Sequence, residues 1–420
     1  MKTIKRSQKP IRVGVIGLSR GRSFASSAKY VGLELVALCD QWKAKLRQTG
    51  KQFPRVALYT DYDKFLEHDL DAVILANYFH EHAPFAVKAL KRGLHVMSET
   101  SACKTMAEGV ELARAVERSK KIYLLAENYC YFAYNQEMRR LYRSGEIGEF
   151  QMGECEYMHP MLARDVAAIS PGGNHWRNFI PPIYYCTHAL APIMYITETR
   201  PEYVNAQSVP YSPVDTERHW TKRTDIGFHI LCHMNNGAVT IVNGICYRGH
   251  GNWYRLHGTR GLMENLRTQG CQGKLRLVHE HWDQRPGDVA EKIYTPDFPA
   301  HADRARQAGH GGGDFFTNYF FAEAIRSGRQ PFLNVYRALD MTLAGIQGWR
   351  SCLAKGAPME IPDFRRESVR RKYENDHWSP FPEDAGPGQP PSSILGFIKP
   401  TRRQFRLSRA VWREIGYKGP

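Results

Sequence analysis

The feature that most constrains this 420-residue chain is a regular alternation of short apolar runs and helix-period stretches over residues 11–126. The runs IRVGVI (11–16), LELVALC (33–39), DAVILA (71–76), LHVM (94–97) and IYLLA (122–126) are strand-length and bounded by turn residues. Between them, residues 22–30, 42–52, 61–67, 82–92 and 106–119 carry helical spacing, and Pro84 suits the first turn of its helix, where a missing N–H costs nothing. Strand–helix alternation at this spacing predicts a doubly wound parallel sheet of the Rossmann type.

After a helix expected at 135–143, Gly145 and Gly148 break the chain and the pattern changes. Residues 150–157, 203–208, 226–234, 238–246 and 252–257 read as strands, and Asn-Asn-Gly inside HMNNGAVTIV is a hairpin signal. Residues 315–326 and 335–353 are helical in pattern, and GPGQPPSS lies in the segment beyond 362. The expected organisation is a dinucleotide domain over 1–145, an α/β substrate and oligomerisation domain with an open, mainly antiparallel sheet over 146–364, and an extended basic arm over 365–420.

Composition narrows the function classes. No stretch of 18 apolar residues exists, so no membrane-spanning helix is expected. The first ten residues lack an apolar run and a cleavage site, and the nine cysteines are scattered singly, with no pair at CxxC spacing. These features predict no signal peptide, reduced thiols and a cytoplasmic location. No histidine stands at ligand spacing from an acid or cysteine in the manner of H-E-x-x-H, so no metal is expected. The formal net charge of +16 is concentrated late, in Arg365, Arg366, Arg370, Arg371 and Lys372 and then in Arg402, Arg403, Arg406, Arg409 and Arg413. It reads as a solvated tail or subunit contact, or as attraction for an anionic cofactor or substrate, and nucleic acid is not an expected partner.

The turn after the first strand runs Gly17-Leu18-Ser19-Arg20-Gly21-Arg22. The dinucleotide fingerprint G-x-G-x-x-G lets backbone N–H groups approach a pyrophosphate. Here Ser19 replaces the second glycine, Arg22 falls where the third belongs, and Gly21 comes one place early. The context is stronger than the motif: a strand precedes, a helix follows, and Asp40 ends the next strand about 20 residues on, as ribose recognition requires. A carboxylate there repels a 2′-phosphate and favours NAD over NADP. Gly17, Ser19, Arg20, Gly21 and Asp40 are therefore candidate cofactor residues. Asn77, His80 and His82 join them at the carboxyl edge of the third run, Glu99 after the fourth and Asn128 after the fifth.

Together the glycine turn, ANYFHEHAPFAVKALKRGLHVMSE, AENYCYF, YYCTHALAP, HGGGDFF and PMEIPDF resemble the Gfo/Idh/MocA oxidoreductases over about residues 11–364. The resemblance implies a Rossmann domain, a second domain whose open sheet is substrate floor and subunit interface, a sugar or polyol substrate, and a homodimer or homotetramer. AENYCYF and the Tyr-x-Thr-His-x-Leu-x-Pro pattern of Tyr185, Thr187, His188, Leu190 and Pro192 look most like the NAD-retaining glycoside hydrolase branch, family 109. Most family members carry Glu-Lys-Pro after the strand that here ends in Glu99; Glu99 matches, but Thr100 replaces the lysine and Lys104 lies four residues further. That departure also favours the hydrolase branch.

Hydride removal from a carbinol carbon needs a group that takes the hydroxyl proton. The resemblance makes Tyr185 that base and His188 the residue that positions or protonates the sugar; a core tyrosine and a structural histidine remain the alternative. Thr187 is expected to cap a helix starting at His188. His175, Trp176 and Arg177 lie in a loop rich in sugar-contact residue types, and Tyr157 and His159 end the first strand of the second domain. His310 precedes a glycine run and reads as cleft-lining or structural. The sequence thus supports an NAD-dependent carbohydrate-active enzyme cleaving a glycoside through transient C3 oxidation, elimination, water addition and re-reduction. A plain sugar or inositol dehydrogenase and a non-catalytic NAD or sugar sensor stand beside it.

Overall fold

Residues 9–211 and 220–419 are described by the computed structural model. Six strands, β1 (Ile11–Ile16), β2 (Leu33–Cys39), β3 (Ala57–Tyr59), β4 (Ala72–Leu75), β5 (His95–Ser98) and β6 (Tyr123–Leu125), pair in parallel in the order β3-β2-β1-β4-β5-β6. β4 is buried along its whole length and β1 at all but one position, as expected for strands covered on both faces. The strand order reverses between β1 and β4, which opens the crevice where α/β sheets bind nucleotides. β3 was not anticipated: it has three residues, none of them buried. Packing groups this sheet with residues 300–338. From that segment the helix Gly313–Ser327 lies against the helix Gly21–Ser27, where the Asn318 amide donates to Phe24 O and Ser27 Oγ, both at 2.9 Å.

The second unit comprises residues 103–110, 133–299 and 339–420. Its strands are β7 (Phe150–Met158), β8 (Pro201–Val209), β9 (Gly227–Met234), β10 (Val239–Ile245), β11 (Gly251–Gly258), β12 (Leu262–Asn265), β13 (Leu275–Val278), β14 (Glu291–Tyr294) and β15 (Met359–Glu360). They form one sheet, β14-β13-β12-β11-β7-β10-β9-β8-β15, antiparallel throughout except between β7 and β10. The Asn-Asn-Gly hairpin joins β9 to β10, with Gly237 at φ 85°. The helix Thr187–Thr197 covers one face, against β7, β10 and β11.

The basic C-terminal segment carries a feature its composition did not suggest. Thr401 and Gln404 form a capping box that starts the helix Arg402–Glu414. Ser408, Val411 and Trp412 bury one stripe of it on the helix Ala163–Ile169, where the Trp412 indole donates to Ala167 O at 3.0 Å. Among the described residues no helix is long and apolar enough to cross a membrane.

Candidate active site

In the first unit, the turn after β1 is held by backbone bonds: Gly17 N–H to Cys39 O at 3.0 Å and Gly21 N–H to Gly17 O at 2.9 Å. Gly17 sits at φ 84°, and a Cβ there would overlap the Ala76 carbonyl and the Asn77 nitrogen at the end of β4. Only glycine lets the turn lie this close to the neighbouring strand. Asp40 accepts from Leu18 N–H and Trp42 N–H, one per carboxylate oxygen, both at 2.8 Å. Each oxygen keeps a lone pair for a ribose hydroxyl. Lys45 donates to Ser19 Oγ at 2.5 Å and lies over the Trp42 ring.

Asn77 and His82 follow β4 at the same edge. The Asn77 amide nitrogen donates to Glu81 at 3.1 Å, leaving buried Oδ1 without a partner. His82 is buried, and its Nδ1 faces Ser101 O at 2.9 Å. Burial comes first in lowering the pKa of this imidazole, against hydrogen bonding to the backbone of Ser101 and Asn77. Asn77 Oδ1, a buried and unmet acceptor at the carboxyl edge of β4, suits a hydroxyl or amide donor of a dinucleotide. His80 stands between Asn77 and His82 in the turn Phe79–Glu81, its ring against Tyr78.

Arg20 does something its sequence position did not reveal. Its guanidinium donates to Glu99 at 2.6 Å and, as a fork, to both oxygens of Asp314 at 2.8 and 2.7 Å. Ser23 Oγ (2.5 Å), Asn128 Nδ2 (3.0 Å) and His310 Nδ1 (3.0 Å) converge on the same carboxylate. Burial works to raise the Asp314 carboxyl, but the hydrogen bonds from Arg20 and His310 outweigh it and hold the group well below the carboxylate range. Arg20 is thus a staple between the glycine turn, the end of β5 and the helix Gly313–Ser327. His310, Gly311 and Gly312 all have positive φ, which turns the chain sharply into that helix and presents Asp314 in its first turn.

In the second unit, Tyr185 ends the 3-10 turn Pro182–Tyr185 and His188 is the second residue of the helix Thr187–Thr197. The expected cap is absent: Thr187 is itself the first helical residue, Cys186 is the N-cap, and Thr187 Oγ1 is buried without a partner. Gly345 and Gly348 let this turn approach the helix Val335–Leu353, since a Cβ at Gly348 would meet Ile183 at 2.5 Å. Pro192 has no N–H for the His188 carbonyl one turn back. The Tyr254 hydroxyl on β11 fills that place, donating to His188 O at 2.9 Å and pinning the residue.

Arg177 Nη1 donates to Tyr185 Oη at 2.6 Å, while its guanidinium lies 4.3 Å from the Trp176 ring centre. Trp176 and Tyr185 stack at 6.2 Å and 24°. The Tyr185 and His188 rings lie 5.9 Å apart, and His188 meets Tyr157 edge-on at 4.7 Å. His159 lies 5.9 Å from Tyr157 and 4.9 Å from His250. His175 accepts from Arg177 N–H at 3.2 Å and so shapes the loop. Tyr185, His188, His159, His175, Trp176 and Arg177 are therefore one constellation. His250 and Tyr254 joined it without any sequence signal, because their partners lie far away in the chain.

Lys104, the lysine nearest the position that Thr100 occupies, is bound by Glu383 at 3.1 Å and Asp384 at 2.6 Å. Elsewhere among the described residues Glu146, His279 and Asp288 approach within 4.8 Å, but Arg260 donates to Asp288 at 3.0 Å and opposes a cation there.

A parallel 3-2-1-4-5-6 sheet with this glycine turn and Asp40 at the end of β2 defines a nicotinamide-dinucleotide-binding oxidoreductase, and its cofactor is NAD. Residues 11–127 match the oxidoreductase family with an NAD-binding Rossmann fold, and residues 196–371 match the glycosyl hydrolase 109 C-terminal domain. The chain thus carries a Gfo/Idh/MocA-type NAD-binding oxidoreductase domain followed by a domain similar to that of the glycosyl hydrolase 109 proteins. A glycosyl hydrolase family 109 protein of Solibacter usitatus is 26% identical over 396 residues, covering 85% of this chain and 88% of the relative. A second, from Shewanella sp. strain ANA-3, is 25% identical and covers 85% of each. The fold matches a levoglucosan dehydrogenase solved with NADH and levoglucosan (TM-score 0.70, 17% identity, 84% of this chain and 100% of that one). It also matches an inositol dehydrogenase homologue from Azotobacter vinelandii solved with NAD+ (TM-score 0.65, 19% identity, 85% and 98%).

Proposed function

We propose that this protein cleaves a glycoside by a redox-neutral cycle with retained NAD. The observation that carries the reading is the Arg177–Tyr185 hydrogen bond of 2.6 Å, with His188 beside the phenol. A guanidinium donating to a phenol oxygen favours that oxygen when it bears charge, which suits Tyr185 to accept a proton. Bound NAD would take the hydride of C3 while the hydroxyl proton passes to Tyr185 and on to solvent, so that the C3 alcohol becomes a ketone early in turnover and, by the reverse transfers, an alcohol again at its end. The ketone acidifies the adjacent C2–H. Tyr185 removes that proton, the C1–O bond breaks with loss of the leaving group, water adds at C1, and Tyr185 returns a proton to C2. His188, fixed through its carbonyl by Tyr254, positions the sugar and protonates the departing oxygen. Thr100 in the place of the usual lysine, and Lys104 engaged by two carboxylates, leave this role to Tyr185.

The test is incubation of the protein with aryl glycosides. Aglycone released in excess over protein, without growth at 340 nm, supports the cycle. NADH formed in proportion to substrate consumed sinks it and favours a dehydrogenase.

A further inference from the structure

We propose that the glycoside taken by this site carries an anionic substituent, a carboxylate, sulfate or phosphate, which Arg177 and His250 recognise. The proposal rests on the reading of the Tyr185 cluster as the sugar pocket.

The sheet separates charge by face. Tyr157 lies on β7, where successive side chains alternate. Glu154 and Glu156 therefore share the opposite face, and each has a cation of its own there: Arg255 at 3.4 Å and Arg267 at 3.0 Å. The face that carries Tyr157 continues into His159, His188 and His250 through ring contacts of 4.7 to 5.9 Å. Burial comes first in holding the His159 imidazole below its ordinary value, and His250, His188 and Arg177 push the same way against a hydrogen bond to the residue's own backbone. Arg177 is the standing positive charge of this group, and an anionic substituent on the sugar is the partner that charge favours.

Arg177 has the means to receive that anion. One of its five N–H donors goes to Tyr185 Oη, and the rest of the planar fork matches a carboxylate, sulfate or phosphate oxygen pair. His250 is exposed on the turn between β10 and β11 beside Arg248, also exposed, so the cationic character extends to the surface where a ligand arrives. The net charge of +16 acts in the same direction at long range.

Full-length protein saturated with NAD+ is titrated calorimetrically at low salt with matched pairs in the gluco and galacto series. Each pair sets the neutral sugar against its 6-carboxylate, 6-sulfate and 6-phosphate. At least one anionic form is expected to bind about tenfold or more tightly than its neutral partner, as a charge-assisted contact predicts. The arm that binds names the anion. Arg177→Gln and, independently, the exposed His250→Gln are each expected to cut that preference several-fold. Neutral sugars binding as tightly as every anionic partner, with neutral aryl glycosides still cleaved, overturn the proposal and leave the glycosidase reading standing. Absence of any sugar binding in a protein that holds NAD overturns both.

Discussion

Replacing Asp314 by Asn tests whether the Arg20 staple holds the cofactor unit together. The Asp314 side chain is 1% exposed, so water cannot replace what is lost. Five donors converge on its carboxylate at 2.5 to 3.0 Å, two of them from Arg20. An amide removes the charge and one acceptor and turns an N–H₂ toward those donors. Removing one partner of a buried ion pair typically costs about 3–5 kcal/mol. Glu99 retains the third Arg20 bond at 2.6 Å, which places the expected loss at the low end, about 3 kcal/mol. Because hydrogen bonding depresses the Asp314 carboxyl, its stabilisation is complete above the ordinary value of 3.8 and is lost only as pH falls toward the lower folded value. The deficit is therefore present in full at pH 7. Amide hydrogen exchange over the helix Gly313–Ser327 reads it locally, without assuming that the whole chain unfolds in one step. The slowest amides are expected to exchange about 10²-fold faster in the variant. Exchange within about threefold of the parent would refute the staple, since the loss would then be only about 0.7 kcal/mol.

Three further perturbations follow from the same geometry. Tyr185→Phe keeps the stack on Trp176 but removes the proton acceptor; kcat for aglycone release should fall about 10²- to 10⁴-fold while KM changes little, measured by steady-state kinetics. Gly17→Ala sets a Cβ at φ 84° against the Ala76 carbonyl, so NAD affinity by calorimetry should fall at least about tenfold. Glu108, raised from 4.5 to about 7 by burial against the pull of the Lys104 N–H and ammonium, binds its proton more tightly in the folded protein. Stability should therefore decline as pH rises from about 4.5 through 7, by at most about 3 kcal/mol, and Glu108→Gln should flatten that decline in denaturant titrations.

Much of the first unit was legible because its signals are local. The helices Met106–Ser119 and Val335–Leu353 start and stop where the apolar period does. β1, β2 and β4 are apolar runs ended by turn residues, and Gly17 and Asp40 stand at the ends of β1 and β2. Short elements were lost: β12, β13 and β14 have four residues each, too few for alternation to stand out. The helix Arg402–Glu414 was hidden by its arginines, although Ser408, Val411 and Trp412 already lie at helical spacing. Thr187 shows how a favoured capping residue next to a helix start can prove to lie inside the helix. Partnerships across the chain left no trace in any window. Arg20 and Asp314 are 294 positions apart, and Tyr254 serves the His188 carbonyl across 66. Pro192 was nevertheless a usable hint, because a proline inside a helix announces an unmet carbonyl four residues earlier.

The claim on which the proposed chemistry depends is that the C2–H bond of the sugar is broken during cleavage. Running the reaction in D₂O and reading the released sugar by NMR and mass spectrometry tests it directly. Tyr185 is half-buried and in exchange with solvent between turnovers, so deuterium at C2 of the product is the expected result. Released sugar with only protium at C2 would contradict the account.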